Sequence, residues 1–163
     1  MKFRNMRRFK QEISKEECIK ILEHGSSGVL AVLGDGDYPY AVPLSYVYEN
    51  GKIYFHCAKS GHKLDAIQRN NKVSFCVVGQ DQVVPQEYTS YFKSVIVFGT
   101  VRILEEKEEI WTAIEKLAVK YHPGDTPQNR KTAIQQSFSP LCMLELTIEH
   151  MTGKEAKELV RQR

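Results

Sequence analysis

The sequence has no apolar run near the roughly 20 residues that a helix needs to cross a bilayer, which excludes a transmembrane helix. The N-terminus is basic (Lys2, Arg4, Arg7, Arg8, Lys10), but no apolar stretch follows it. No signal peptide is therefore expected, and the cytoplasm is the default compartment. Neither sign of charge dominates. Lys+Arg 23 against Asp+Glu 20 leaves a net +3, too little to indicate nucleic acid without a motif. Much of that excess sits at the two ends, which read as solvated tails. Cysteine is sparse as well. Cys18, Cys57, Cys76 and Cys142 form no C-x-x-C pair, which argues against structural zinc. His56, Cys57 and His62 follow no common ligand spacing, so no metal is expected. The cysteines lie in apolar contexts and read as small buried hydrophobes in a reducing compartment. G-x-S-x-G, G-x-G-x-x-G and Walker-type sequences are missing, which lowers hydrolase, Rossmann and P-loop readings. No repeat or low-complexity segment is visible.

What remains is an ordinary globular composition, with 42% hydrophobic and 26% charged residues over 163 positions. One domain spanning 1–163 is expected. Ser14 followed by Glu17 is a capping-box pattern, and Ile13 with Cys18 forms a candidate staple. Cys18, Ile21 and Leu22 fall on one helical face, with Gly25 as a C-terminal stop. Strand signals cover 28–33, 38–48 and 53–58, separated by Gly34-Asp35-Gly36-Asp37 and by an Asn50-Gly51 hairpin turn. Pro39 and Pro43 make the second of these an edge or bulged strand. A short helix follows His62, and then a strand over 73–78. The polar stretch 80–90, with Pro85, reads as a loop. A long strand covers 91–104, and its Gly99 marks a bulge or a close backbone approach. The best helix covers 106–121, a weaker one 129–137, and a last strand 142–148. The tail beyond Gly153 reads as helical. Strands outnumber helices without regular alternation, which favours a mainly β architecture: a small, nearly closed barrel with flanking helices.

Chemistry concentrates at 54–63. A strand ends there in Lys59-Ser60-Gly61, and a helix begins. Unpaired N–H groups and the dipole at a helix start attract anions. Lys59, His62 and Lys63 are candidates to pair with phosphate charge, and Ser60 to donate to it. The competing reading is a solvated basic turn. A histidine placed like His56, among aromatic and apolar neighbours, is usually a hydrogen-bonded core residue. Tyr38, Tyr40, Tyr46 and Tyr48 share a parity. They suit a barrel face, a dimer interface or the pocket of a planar ligand, with burial the commoner use.

Three motifs run in order: Pro39-Tyr40-Ala41-Val42-Pro43-Leu44-Ser45-Tyr46, then Ile53-Tyr54-Phe55-His56-Cys57-Ala58, then Gly61-His62-Lys63-Leu64-Asp65. With Val73-Ser74-Phe75, the segment from Tyr91 to Gly99 and Met151-Thr152-Gly153-Lys154, they resemble the pyridoxamine 5′-phosphate oxidase-like flavoproteins, and among these the nitroimidazole-resistance branch. The resemblance implies an FMN-binding split β-barrel, normally a homodimer, with flavin mononucleotide (FMN) between subunits. It implies that Pro43, Leu44, Ser45 and Tyr46 run beside the flavin ring and that His56, Cys57 and Ala58 continue that wall. Gly61, His62 and Lys63 would serve the phosphate, and Ser94 would lie near the groove. It further implies reduction of a small-molecule substrate such as a nitroimidazole, with His56 at the reaction site. A non-catalytic flavin- or haem-binding module, or a barrel for a deazaflavin, remains the alternative. No dense Arg/Lys set like that of the vitamin B6 oxidases occurs near the C-terminus.

Overall fold

The computed structural model describes residues 2–161; residues 162–163, the end of the basic tail, lie outside them. The elements are β1 (Glu12–Ile13), α1 (Lys15–His24), β2 (Ser27–Leu33), β3 (Pro39–Ser45), β4 (Val47–Glu49), β5 (Lys52–Ala58) and α2 (His62–Arg69). They continue with β6 (Lys72–Val84), β7 (Thr89–Ile103), α3 (Lys107–Tyr121), α4 (Pro127–Ser137), β8 (Leu141–Glu155) and α5 (Lys157–Val160). The strands form one sheet in the order β3-β2-β6-β7-β8-β5-β4, with β1 added on β8. Every pairing is antiparallel. The chain runs from β3 directly into β4, at the other end of that order, and β3 touches β5. The sheet thus curls on itself as a split barrel with helices at its flanks.

Local signals explain the elements that start and stop sharply. The Ser14 hydroxyl accepts the Glu17 N–H, and the Ser14 N–H donates to the Glu17 carboxylate, a complete capping box. Ile13 and Cys18 on either side are both buried. Asn50 and Gly51 hold positive φ, as a tight hairpin between β4 and β5 requires. Thr126 caps α4 by accepting the Asn129 N–H, and Pro127 opens that helix two residues before the expected start. Gly99 sits at a register shift in β7, and a Cβ there would clash with the Thr147 carbonyl oxygen. Close backbone approach is therefore what the glycine permits.

Gly25 stops α1 as expected, in an extended conformation. Its lack of a side chain makes room for the Tyr46 hydroxyl, which a Cβ would approach to 2.5 Å. Three other expectations are corrected. The stretch 80–90 is mostly strand: β6 and β7 continue as a hairpin through Gln82 opposite Tyr91, turning at Pro85–Glu87. Its side chains are largely exposed, so ladder hydrogen bonds support it without an apolar pattern. Strand β8 runs past 148 to Glu155, because it pairs with β7 and β1 there, and helix begins only at Lys157. Finally, the strand over 38–48 breaks at Tyr46. Tyr46 is fully buried, and Tyr40 and Tyr48 pack on the same core, whereas Tyr38 is 77% exposed. The tyrosine face is thus a core face and offers no dimer surface. The prolines lie on the other side of an edge strand, where missing N–H donors cost no ladder bond.

Candidate functional site

Alternation along β5 sends Ile53, Phe55 and Cys57 toward the barrel core and Tyr54, His56 and Ala58 to the opposite side. Helix α3 covers part of that side, packing Ala113 and Leu117 over Tyr54, Val47, Leu104 and Met143. Its cover ends before His56 and Ala58, which are exposed. On β3, Pro43 and Ser45 are exposed, while Leu44 packs inward. The curl of the sheet brings Ser45 and His56 to one cleft of about 420 Å³, roofed by α3 and α4. The rest of the cleft includes Leu117, Ile134 and Leu141, with His122, Asp125 and Arg130 supplying its polar groups.

Tyr46 follows Ser45 but presents no side chain to this surface. Its N–H donates to the Tyr121 hydroxyl (3.1 Å), and Lys120 Nζ lies 4.1 Å over its ring. Burial holds its hydroxyl well above the usual tyrosine range. Its side chain therefore anchors the β3–β4 break to α3.

Helix α2 starts beside Ala58. Gly61 precedes it at φ 131°, a conformation that favours glycine, and no side chain caps it. A Cβ on Gly61 would meet nothing within 4 Å, so the helix start is open. The N–H groups of His62 and Lys63 have no intrahelical acceptor, whereas those of Leu64 and Asp65 donate to the Gly61 carbonyl oxygen. Lys59 and Ser60 are exposed and Lys63 half-buried, all suited to an anion. Asp65, also in the first turn, opposes one. His62 is engaged elsewhere. Its ring lies 4.1 Å from Tyr40, and its Nε2 accepts the Asp35 N–H (3.4 Å) when neutral. When protonated, it faces the Asp35 carboxylate at 3.6 Å. That carboxylate also binds Arg69 at 2.7 Å.

Cys57 lies directly opposite Cys142 in the β5–β8 ladder, and both are free thiols. Burial first, then the neighbouring Cys142, push the Cys57 thiol up to about 12, although Lys63 pulls it down. It stays protonated at neutral pH and is a poor nucleophile. Ser94 shares the outward sheet face with Pro43 and Ser45 but lies on β7, beyond β2 and β6. Three strand spacings put it about 14 Å from β3. Within one chain it does not join the other candidates. Arg130, His122 and Asp125 were not legible in the sequence, because only the packing of α4 on α3 turns them toward His56. Among the described residues, no three His, Cys, Asp or Glu side chains gather as a metal site, and no helix is long and apolar enough to cross a membrane.

Comparison with known proteins places the fold. A pyridoxamine 5′-phosphate oxidase family model matches residues 14–155. A candidate 5-nitroimidazole antibiotic resistance protein from Bacteroides thetaiotaomicron is 24% identical, with a TM-score of 0.75 over 88% of this chain and 86% of that one. An FAD-binding protein from Mesorhizobium loti is 27% identical, with a TM-score of 0.66 over 90% and 97%. An FAD- and haem-binding protein from Mycobacterium smegmatis is 18% identical, with a TM-score of 0.74 over 90% and 74%. No curated protein sequence matches significantly.

Proposed function

The chain belongs to the pyridoxamine 5′-phosphate oxidase family, and from that premise we propose that it binds FMN and uses it to reduce a small organic molecule, nitro compounds of the nitroimidazole type among them. The observation that carries this reading is the continuity of one exposed surface. Pro43 and Ser45 on the edge strand, His56 and Ala58 on β5, and the open start of α2 lie along it. Its parts match the parts of a flavin nucleotide. Pro43 and Ala58 give a flat apolar wall for a ring. The free edge of β3 offers unpaired N–H and C=O groups for a polar ring edge. Lys59, Lys63 and the N–H groups of His62 and Lys63 at the start of α2 suit a terminal phosphate.

A bound flavin supplies transfer of a hydride or an electron pair. The chain's residues would bind, orient and protonate. Lys63 holds the phosphate. The roof of α3 and α4 limits water above the cleft. The His56 imidazole, at the mouth of that cleft, delivers a proton to the reduced substrate at a ring nitrogen. The four unbridged cysteines suit a reducing cytoplasm.

The experiment that tests this is the absorption spectrum of the purified protein after FMN addition, then reoxidation of at least three equivalents of the photoreduced protein per nitroimidazole, since nitro to amine takes six electrons and each flavin supplies two, with the amine product detected. A flavin spectrum and amine formation are expected. A Soret band instead would favour the haem-binding reading, and a colourless protein ends the proposal. Lys63→Ala should weaken FMN by about tenfold to a hundredfold, the worth of a charged hydrogen bond, and riboflavin hardly at all. Equal weakening of both ligands would remove Lys63 from the phosphate, and tighter binding of FAD than of FMN would change the cofactor.

The same reading includes a homodimer. The outward face of β2, β6 and β7 carries exposed Val29, Val78, Ile96 and Phe98, continuous with Pro43 and Ser45. Burying that face against a second copy puts Ser94 at the same seam as the β3 residues. Light scattering should find a dimer at micromolar concentration, and Ile96→Asp should shift it toward monomer and lower flavin affinity. A monomer that binds flavin with full affinity would contradict this.

A further inference from the structure

Arg130 stands in an unusual position. It lines the cleft shared by Ser45 and His56, and its Nε is buried without a hydrogen-bond partner. One guanidinium nitrogen donates to the Asp125 carbonyl oxygen at 3.2 Å. The Asp125 carboxylate, the obvious partner, is drawn elsewhere. It accepts the Thr126 N–H at 2.8 Å and faces His122 Nδ1 at 3.8 Å. A buried donor left unmade is costly, and native structures rarely keep one without a reason. The walls beside it are apolar: Ile114, Leu117, Ala118, Ile134 and Leu141. A cavity of about 420 Å³ with apolar walls and one guanidinium whose Nε has no partner is a pocket for a compact molecule with a planar two-oxygen acceptor.

We infer that this cleft is a substrate pocket for a small cyclic or aromatic carboxylate, with Arg130 reading the carboxylate and the apolar walls holding the ring; the inference rests on the reading that His56 stands at the reacting centre. The carboxylate pairs with the Arg130 guanidinium, and the ring lies between the α3–α4 roof and His56. Asp125 opposes a second negative charge, and the hydrogen bond from the Thr126 N–H offsets part of it. Arg130 is thus a specificity-determining residue, and the helical roof selects the substrate rather than merely capping the barrel.

Benzoate and its neutral isostere benzamide are suitable probes, titrated by calorimetry into the protein with and without FMN. Benzoate should bind at least tenfold more tightly than benzamide. Arg130→Gln should weaken benzoate about tenfold to a hundredfold. Benzamide and FMN affinities should stay within about twofold. Arg130→Lys keeps the charge but loses the fork, so an intermediate loss is expected; it carries the test if the glutamine variant misfolds. Ala133→Phe, which fills the cleft, should abolish binding of both probes. Equal binding of the two probes, or benzoate affinity indifferent to Arg130→Gln or to Ala133→Phe, overturns the inference. Arg130-dependent benzoate binding by a protein that takes up no flavin would sink the flavin reading and leave the pocket standing.

Discussion

Replacing Phe75 by alanine is expected to lower the stability of the folded chain by about 3–5 kcal/mol, the range for truncating a buried phenylalanine. Phe75 is 0% exposed at the centre of the barrel. Its ring meets those of Tyr46 and Phe55 edge-on, at 5.0 and 5.1 Å between centroids. Leu30 and Val97, its register partners on β2 and β7, are also fully buried. Neighbours held by strand ladders cannot collapse into the space left behind, so the cavity term should be near its full size. The same packing holds the site. Tyr46 fixes the break that sends Ser45 outward, and Phe55 precedes His56 on β5. Thermal melting should show a fall of roughly 6–20 °C, at about 2–4 °C per kcal/mol for a chain of this length. Phe75→Leu, which leaves a smaller void, should lose less than half as much. A melting point unchanged by Phe75→Ala would mean that the barrel interior is not packed as described.

What could be read from the sequence follows the range of the interaction that decides it. Ser14 with Glu17 and Asn50 with Gly51 act within a few residues, and both do in the fold what their spacing indicates. The short helix after Gly61 and the close approach at Gly99 were equally legible, because glycine marks each. The hairpin across 80–90 was not, since its support comes from partner strands rather than from a buried face. Parity correctly grouped Tyr40, Tyr46 and Tyr48 on one side. Which side faced water depended on how β3 lies against the sheet, which no local pattern encodes. The cluster at 54–63 was visible as chemistry, but two of its members changed meaning. His62 turns to Asp35 and Tyr40, and Cys57 to Cys142. Arg130 escaped notice because α4 is polar, with only Ile134 buried. Its place near His56 is a tertiary fact.

His56→Ala should cut turnover of a reducible substrate by about 10²–10⁴-fold, the usual weight of a general acid, and leave FMN affinity within a few-fold. The structure makes the two effects separable. His56 is exposed and carries no hydrogen bond to any described side chain, so the fold does not depend on it. Exposed substitutions of this kind usually change stability by no more than about 0.5 kcal/mol. A large loss of rate at an unchanged melting point is therefore a loss of chemistry. Phe55 and Cys57 on either side stay packed whatever occupies position 56, so the wall proposed for the flavin should persist. His56→Gln keeps a hydrogen-bond donor but cannot deliver a proton. If the histidine only orients substrate, glutamine should restore most of the rate. If it gives up a proton, glutamine should be as slow as alanine. Turnover that survives His56→Ala would shift proton delivery to water or to His122 across the cleft, and a double variant at both histidines would then be the slow one.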